Sequence, residues 1–105
     1  MKFQNFEEFW PFYLAEHSNP MCRRFHFAGT SLALSCLLTA PFFGAKMVLF
    51  ALIFGYGFAW IGHFAFQKNR PATFAHPLWS LRADFRMYAK MLKGELWRRS
   101  TAKEL

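Results

Sequence analysis

Two long apolar runs dominate the pattern of hydrophobic and polar positions along the chain. The first extends from residue 27 to 43 and the second from 47 to 66, and neither contains Asp, Glu, Lys or Arg. Each approaches or reaches the roughly 17–25 residues that a helix needs to cross a bilayer. Pro41 and Gly44 at their junction indicate a turn. The pattern therefore predicts a helical transmembrane hairpin. The approximate spans are 25–43 and 47–66.

Amphipathic segments flank the hairpin. In the first, at about residues 5–17, aromatic side chains recur at helical spacing opposite Glu7 and Glu8. In the second, at about residues 77–98, apolar residues form one helical face and basic residues cover much of the rest. The apolar positions are Leu78, Leu81, Phe85, Tyr88, Leu92 and Leu96. Such a helix is typical of an anionic membrane surface, and packing against a partner is the alternative.

Composition explains why a membrane is the expected environment. The 105 residues are 54% hydrophobic and include 15 Phe, yet the net charge is +7. A short soluble domain has little interior for so many Phe, and a nucleic-acid binder exposes charge instead. We therefore predict an all-α membrane protein of one domain, residues 1–105, that contacts membrane lipids and not nucleic acid. A pair of buried soluble helices is the alternative, and the sequence leaves a homo-oligomer open.

Cationic residues are distributed unequally around the hairpin. Arg23 and Arg24 precede the first span, and Lys68 and Arg70 follow the second, whereas only Lys46 lies at the bend. Because loops rich in Lys and Arg stay in the cytoplasm, this asymmetry predicts that both termini are cytoplasmic.

Two histidines are predicted to meet inside the hairpin. If the chain turns near Phe43, His26 lies 17 residues before the turn and His63 lies 20 after it. At about 1.5 Å per residue, their heights differ by roughly one helical turn. Each also extends a stripe of small residues on its own helix, and such stripes let membrane helices approach closely. The small residues are Gly29 and Ala33 on the first span, and Ala51, Gly55 and Ala59 on the second.

The other two histidines return to the same end of the hairpin. His17 precedes the break at Asn19-Pro20, and His76 follows the break at residues 69–71. All four imidazoles are thus expected to converge, and such a set suits Fe, Zn, Cu or Ni. Glu16 and Asp84 are candidates for a further ligand or for orienting an imidazole.

Basic and polar residues at this end are candidates for substrate binding. Arg24, Arg70 and Arg82 gather there, and an arginine can hold a carboxylate with two hydrogen bonds. With Asn69 they form the predicted substrate-binding set. For each arginine, an anchor that sets topology or contacts lipid headgroups is the alternative.

Several ordered motifs resemble the Mpo1-like family, formerly a domain of unknown function (DUF962). The resemblance extends from about Phe6 to Tyr88. The motifs are Tyr13-Leu-Ala-Glu-His17-Ser-Asn-Pro20, Arg24, His26-Phe-Ala-Gly29-Thr30, Gly62-His63, Asn69-Arg70-Pro71 and His76-Pro77-Leu78-Trp79-Ser80.

The resemblance implies an iron(II)-dependent dioxygenase that shortens 2-hydroxy fatty acids by one carbon. Its substrates would be a fatty-acid-type lipid and O2, and its location the bacterial inner membrane. The family's proposed iron ligands, which are also its catalytic residues, fall on His17, His26, His63 and His76. The alternatives are a non-enzymatic membrane interaction protein, a haem protein with His26 and His63 as axial ligands, and a zinc protein.

Overall fold

The computed structural model describes residues 3–97, in which the regular elements are all helical. Four α-helices follow one another along the chain, and α3 continues without a break as a π-helical turn, Gly62–Gln67. A short 3-10 turn, Ala72–Phe74, precedes the last helix. The α-helices are α1 (Phe6–Glu16), α2 (Pro20–Phe43), α3 (Lys46–Ile61) and α4 (Pro77–Leu92). The predicted all-α membrane architecture, with a hairpin between two flanking helices, is confirmed.

Local signals fix the ends of the hairpin helices. The Asn19 side chain accepts a hydrogen bond from the Met21 N–H, and Pro20 occupies the first turn, where no backbone donor is needed. Gly44, at a φ of 98°, ends α2 and donates its N–H to the Ala40 carbonyl. Helix α2 therefore begins at Pro20, five residues before the predicted span of 25–43. Pro20–Phe43 and Lys46–Gln67 are both long and apolar enough to cross a membrane.

The hairpin helices approach most closely at small residues, as their predicted stripes require. A Cβ atom on Gly29 would lie 2.7 Å from the Phe58 Cβ and 2.9 Å from the Phe54 carbonyl oxygen. Further along, a Cβ on Gly55 would lie 3.6 Å from the Ala33 Cβ. Glycine at position 29 is therefore what allows α2 and α3 to pack at this distance.

Helices α1 and α4 pack against each other beside the histidine end of the hairpin. The aromatic side of α1 is buried against small and flexible residues of α4. The core residues are Phe6, Phe9, Trp10, Tyr13, Leu14, Ala72, Ala83, Met87, Met91 and Leu96. Bulky rings on one helix leave room for Ala and Met on the other, and Met adapts to the irregular gaps between rings.

The apolar face predicted for α4 is largely exposed, since Leu78 is 81% and Leu92 63% accessible, as a face that contacts the membrane requires. Leu96, the last residue of that predicted face, is instead buried in the core. The predicted extent of the helix is too long, because it ends at Leu92 rather than near residue 98, where Gly94 at a φ of 88° turns the chain back. Trp97 then packs on Phe27, with ring centroids 5.0 Å apart. Residue 98 lies outside the described range.

Candidate metal centre and its cavity

Three of the four histidines meet in the interior. His17 caps the C-terminus of α1, His26 lies on α2, and His63 lies on the π-helical turn that extends α3. All three are buried. The His17 Nε2 is 3.1 Å from the His26 Nε2 and 2.9 Å from the His63 Nε2. The predicted meeting of His26 and His63 is confirmed, and His17 joins them from a separate helix.

The outer nitrogen of each ring is held by an oxygen. The His17 Nδ1 is 2.7 Å from the Tyr13 carbonyl oxygen, and the His26 Nδ1 is 2.9 Å from the Cys22 carbonyl oxygen. The His63 Nδ1 is 2.7 Å from the Asn69 Oδ1. Because these oxygens accept hydrogen bonds, they assign the proton of each neutral ring to Nδ1. Each Nε2 then presents a lone pair to the centre.

Burial favours the neutral form of the ring at the middle of this group. It lowers the pKa of His17 well below its ordinary value, and the neighbouring imidazoles of His26 and His63 lower it further. The lone pair on the His17 Nε2 then faces those of His26 and His63 about 3 Å away with no hydrogen to share. A cation between them relieves this crowding, so the donor arrangement fits a metal ion.

The distances support the same conclusion. Two imidazole nitrogens bound to one ion at about 2.1 Å lie roughly 3–3.5 Å apart. The two closest pairs of nitrogens meet this spacing, and the three possible ligand atoms all lie within 4.8 Å of one another. A haem between His26 and His63 would need the space that His17 occupies, so the geometry disfavours the haem alternative.

The π-helical turn and Asn69 place His63. The wider turn begins at Gly62, where an added Cβ would lie 3.1 Å from Cys22 Cα, and such turns are frequent at functional sites. Asn69 then accepts from His63 while its Nδ2 donates to the Glu16 carbonyl oxygen, 3.0 Å away. Asn69 therefore links the end of α1 to the His63 ring. Its position is that of an orienting residue, although it was predicted to bind substrate.

Asn69→Ala is expected to weaken metal binding by about 10- to 100-fold, because losing the partner of a ligating imidazole usually has an effect of this size. Asn69→Asp keeps an acceptor for His63 and should retain most of the affinity. Competition against a chelator of known affinity measures both. Gln67→Ala is the matched control, since within residues 3–97 the Gln67 side chain bonds Ser18 and Asn19 and not His63. Equal losses in the Gln67 and Asn69 variants would contradict the orienting role.

His76 does not join the other three histidines. Its ring lies among aromatic side chains at the start of α4, with centroids 5.4 Å from Phe3 and 5.3 Å from Phe9. Pro71 and Ala72 line both the cavity at the three histidines and the shallow depression that contains His76, so they form a wall between them. Four imidazoles were expected to converge, and three do. The 3-10 turn places His76 on the far side of this wall.

An apolar cavity of about 350 Å³ extends from the three histidines between the hairpin and α4. Leu37 and Val48 line it near the tip of the hairpin, and Leu81 and Phe85 line it on α4. Several of these residues also face outward, Leu81 being 46% and Phe85 48% accessible. The cavity is thus closed by the buried histidines at one end and opens onto the apolar surface of the hairpin and α4.

Polar side chains lie at the histidine end of the cavity. The Tyr13 ring stacks on His17 at 3.9 Å, and its hydroxyl donates to the Asp84 carboxyl. Burial raises the pKa of Asp84 to about 7 and also raises that of Tyr13. Asp84 is therefore linked to the metal centre through Tyr13. Glu16 contributes its backbone carbonyl, rather than its carboxylate, by way of Asn69.

The three arginines predicted to bind substrate do not line the cavity. Arg24 is exposed and donates to the Trp97 carbonyl oxygen, 3.4 Å away. Arg70 lies 5.4 Å from the centroid of the Phe74 ring and Arg82 lies 4.1 Å from that of Phe6. These contacts agree with the alternative of anchoring roles on the exterior.

A different arginine supports the site and was interpreted only as a topology marker. Arg23 is fully buried, and its Nε donates to the His17 carbonyl oxygen at 2.6 Å. Its Nη1 lies 3.4 Å from the Leu96 carbonyl oxygen, so it ties α1 and the C-terminal turn to α2. The available sequence signal was its position three residues before His26, on the first turns of α2.

Comparison with known proteins agrees with the sequence motifs. Residues 3–96 match the family model described as 2-hydroxy-palmitic acid dioxygenase Mpo1-like. Neither a curated protein nor a solved structure matches the chain. The matched range includes all four helices and the three histidines of the metal centre. The chain therefore belongs to the Mpo1-like family.

Proposed function

We propose that the protein is a membrane-embedded, iron(II)-dependent dioxygenase that shortens 2-hydroxy fatty acids by one carbon. The balanced reaction converts a 2-hydroxy acid and O2 into the next shorter fatty acid, CO2 and water. The observation that carries the proposal is a buried triad of neutral imidazoles at the closed end of an apolar cavity. The description of the matching family names the same chemistry.

His17, His26 and His63 would hold the iron. Three imidazole ligands leave room on such an ion for further ligands, and imidazole is a common donor to iron. Bound iron(II) would supply the redox chemistry that activates dioxygen. The chain's own contribution is to fix the three rings through their Nδ1 hydrogen bonds and to keep bulk water from a buried site.

The shape of the cavity fits a single-chain lipid acid. Leu37 lies eleven positions after His26 on α2, about 16 Å along the helix axis. Apolar side chains such as Trp60 and Leu52 line this length, whereas polar groups lie at the histidine end. A lipid acid would thus place its head at the metal centre and its tail along the hairpin. Because the cavity opens on apolar surface, the tail can enter from the hydrocarbon.

The proposed location is the bacterial inner membrane, with both termini in the cytoplasm. Lys68 and Arg70 follow the second spanning helix at the histidine end, and Lys46 alone marks the opposite tip. This charge asymmetry supports the orientation. Labelling of a cysteine introduced at position 46, from the periplasmic side only, is the expected result. Labelling from the cytoplasmic side would contradict it.

The decisive experiment combines metal loading with product analysis. Protein purified in detergent is loaded anaerobically with iron(II) and given 2-hydroxyhexadecanoate and O2. We expect one O2 consumed for each pentadecanoate formed, with CO2 released in equal amount. Zinc-loaded protein is the control and should show neither, because zinc has no redox chemistry. Iron-loaded protein that consumes no O2 with any 2-hydroxy acid would contradict the proposal.

A further inference from the structure

Ser80 is a buried polar residue whose hydroxyl has no hydrogen-bond partner. Its side chain lies on α4, is 1% accessible and lines the cavity. Within residues 3–97, the Ser80 Oγ contacts no donor or acceptor at hydrogen-bonding distance. Buried hydroxyls are nearly always hydrogen-bonded, so each exception calls for an explanation.

Its place in the fold puts Ser80 at the histidine end of the cavity. Ser80 lies one turn before Asp84 on the same face of α4. Asp84 accepts from the Tyr13 hydroxyl, and the Tyr13 ring stacks on His17. All four residues line the same cavity, whose walls toward the hairpin tip are apolar.

Packing alone does not account for a serine here. Position 83, on the buried side of the same helix, is a fully buried alanine that packs against α1. A hydroxyl adds only the cost of removing it from water unless something bonds to it. The Asp84 Oδ1 already accepts a hydrogen bond from the Tyr13 hydroxyl. Ser80 therefore retains hydrogen-bonding capacity at a position where the head of a lipid acid would lie.

We propose that Ser80 is a specificity-determining residue whose hydroxyl binds the polar head of the lipid acid and fixes its orientation beside the three histidines. This inference rests on the proposed function, because it takes the cavity to be the substrate site. A hydroxyl can donate to a carboxylate oxygen, and it can exchange a hydrogen bond with a 2-hydroxyl group. The shared chemistry is an oxygen-rich head on an apolar tail.

The test measures equilibrium binding of radiolabelled hexadecanoate and 2-hydroxyhexadecanoate to detergent-purified protein, with and without metal. Ser80→Ala should raise the Kd by about 5- to 10-fold, as expected for one lost hydrogen bond. Ser35→Ala is the matched control, since the exposed Ser35 hydroxyl bonds only the Ser31 carbonyl of its own helix. It should leave both Kd values unchanged.

A second readout separates binding from a structural role. Removing a hydroxyl that has no partner should leave the thermal unfolding temperature of Ser80→Ala unchanged or raise it, with the metal content preserved. Weaker binding of both acids would assign the bond to the carboxylate. Weaker binding of the 2-hydroxy acid alone would assign it to the hydroxyl.

Two results would overturn the inference. One is Ser80→Ala binding both acids as tightly as wild type, whatever the turnover, and the other is wild type that binds neither acid. Wild type that binds the acids through Ser80 but consumes no O2 when loaded with iron would defeat the proposed function and leave this inference standing. The two proposals therefore fail by different measurements.

Discussion

Alanine at any one of the three clustered histidines should abolish stoichiometric metal binding, whereas His76→Ala should leave it intact. His17, His26 and His63 bring their Nε2 atoms together, and two imidazoles retain a metal far more weakly than three. Metal analysis of detergent-purified protein should give about one ion per chain for wild type and His76→Ala. The three other variants should hold well under a tenth of that amount.

A companion measurement guards against simple unfolding. Without metal, each triad variant should still unfold in one cooperative transition, at a lower temperature than wild type because a buried ring and its Nδ1 hydrogen bond are lost. His76→Ala is the matched control, since its ring packs only among aromatic side chains in the described structure. A His76→Ala variant that folds but has lost its metal would show that four histidines are required, as the sequence alone had indicated.

Gly29→Ala and Gly57→Ala should change stability in opposite directions. The new methyl at position 29 would meet Phe58 and the Phe54 carbonyl at less than 3.0 Å, so α2 and α3 must separate. Overpacking of this kind costs about 1–3 kcal/mol. At Gly57 there is open space, and Ala is the better helix former by about 1 kcal/mol. Thermal unfolding in detergent should therefore show a lower melting temperature for the first variant and an equal or higher one for the second.

The same pair of variants tests how the hairpin supports the metal centre. Gly29 lies one turn from His26, so separation of the helices should also weaken metal binding in Gly29→Ala. Gly57→Ala should bind metal as wild type does. Equal stability of the two variants would mean that the close approach at Gly29 is not what holds α2 to α3.

The hairpin and its pair of histidines followed from the sequence because they depend on regular geometry. Helical rise places His26 and His63 at similar heights, and small residues mark the faces that meet. What did not follow is that α4 presents a second, buried stripe to α1. Small and flexible residues such as Ala83 and Met87 form this stripe, and the more hydrophobic exposed stripe that includes Leu78 conceals it in the sequence.

The position of His76 outside the cluster also did not follow from the sequence. Topology brings His76 back to the right end of the hairpin, but the 3-10 turn decides on which side of Ala72 it lies. The side on which His76 lies depends on the three residues of this turn, Ala72–Phe74. No periodic pattern of hydrophobic residues predicts such a short turn. The buried contact of Arg23 with the His17 carbonyl was hidden for a similar reason, since a charge beside a spanning helix usually marks topology.

The three clustered histidines differ in whether the oxygen that holds the ring belongs to the main chain or to a side chain. His17 and His26 are each held by the main-chain carbonyl four residues earlier. For His26 this contact does not depend on which side chain stands at position 22, whereas position 13 also contributes the Tyr13 ring that stacks on His17. His63 depends on the amide of Asn69, which only a residue with a side-chain acceptor can replace. The carbonyl contacts of His17 and His26 thus survive substitution of the residues that provide them, whereas the contact of His63 does not.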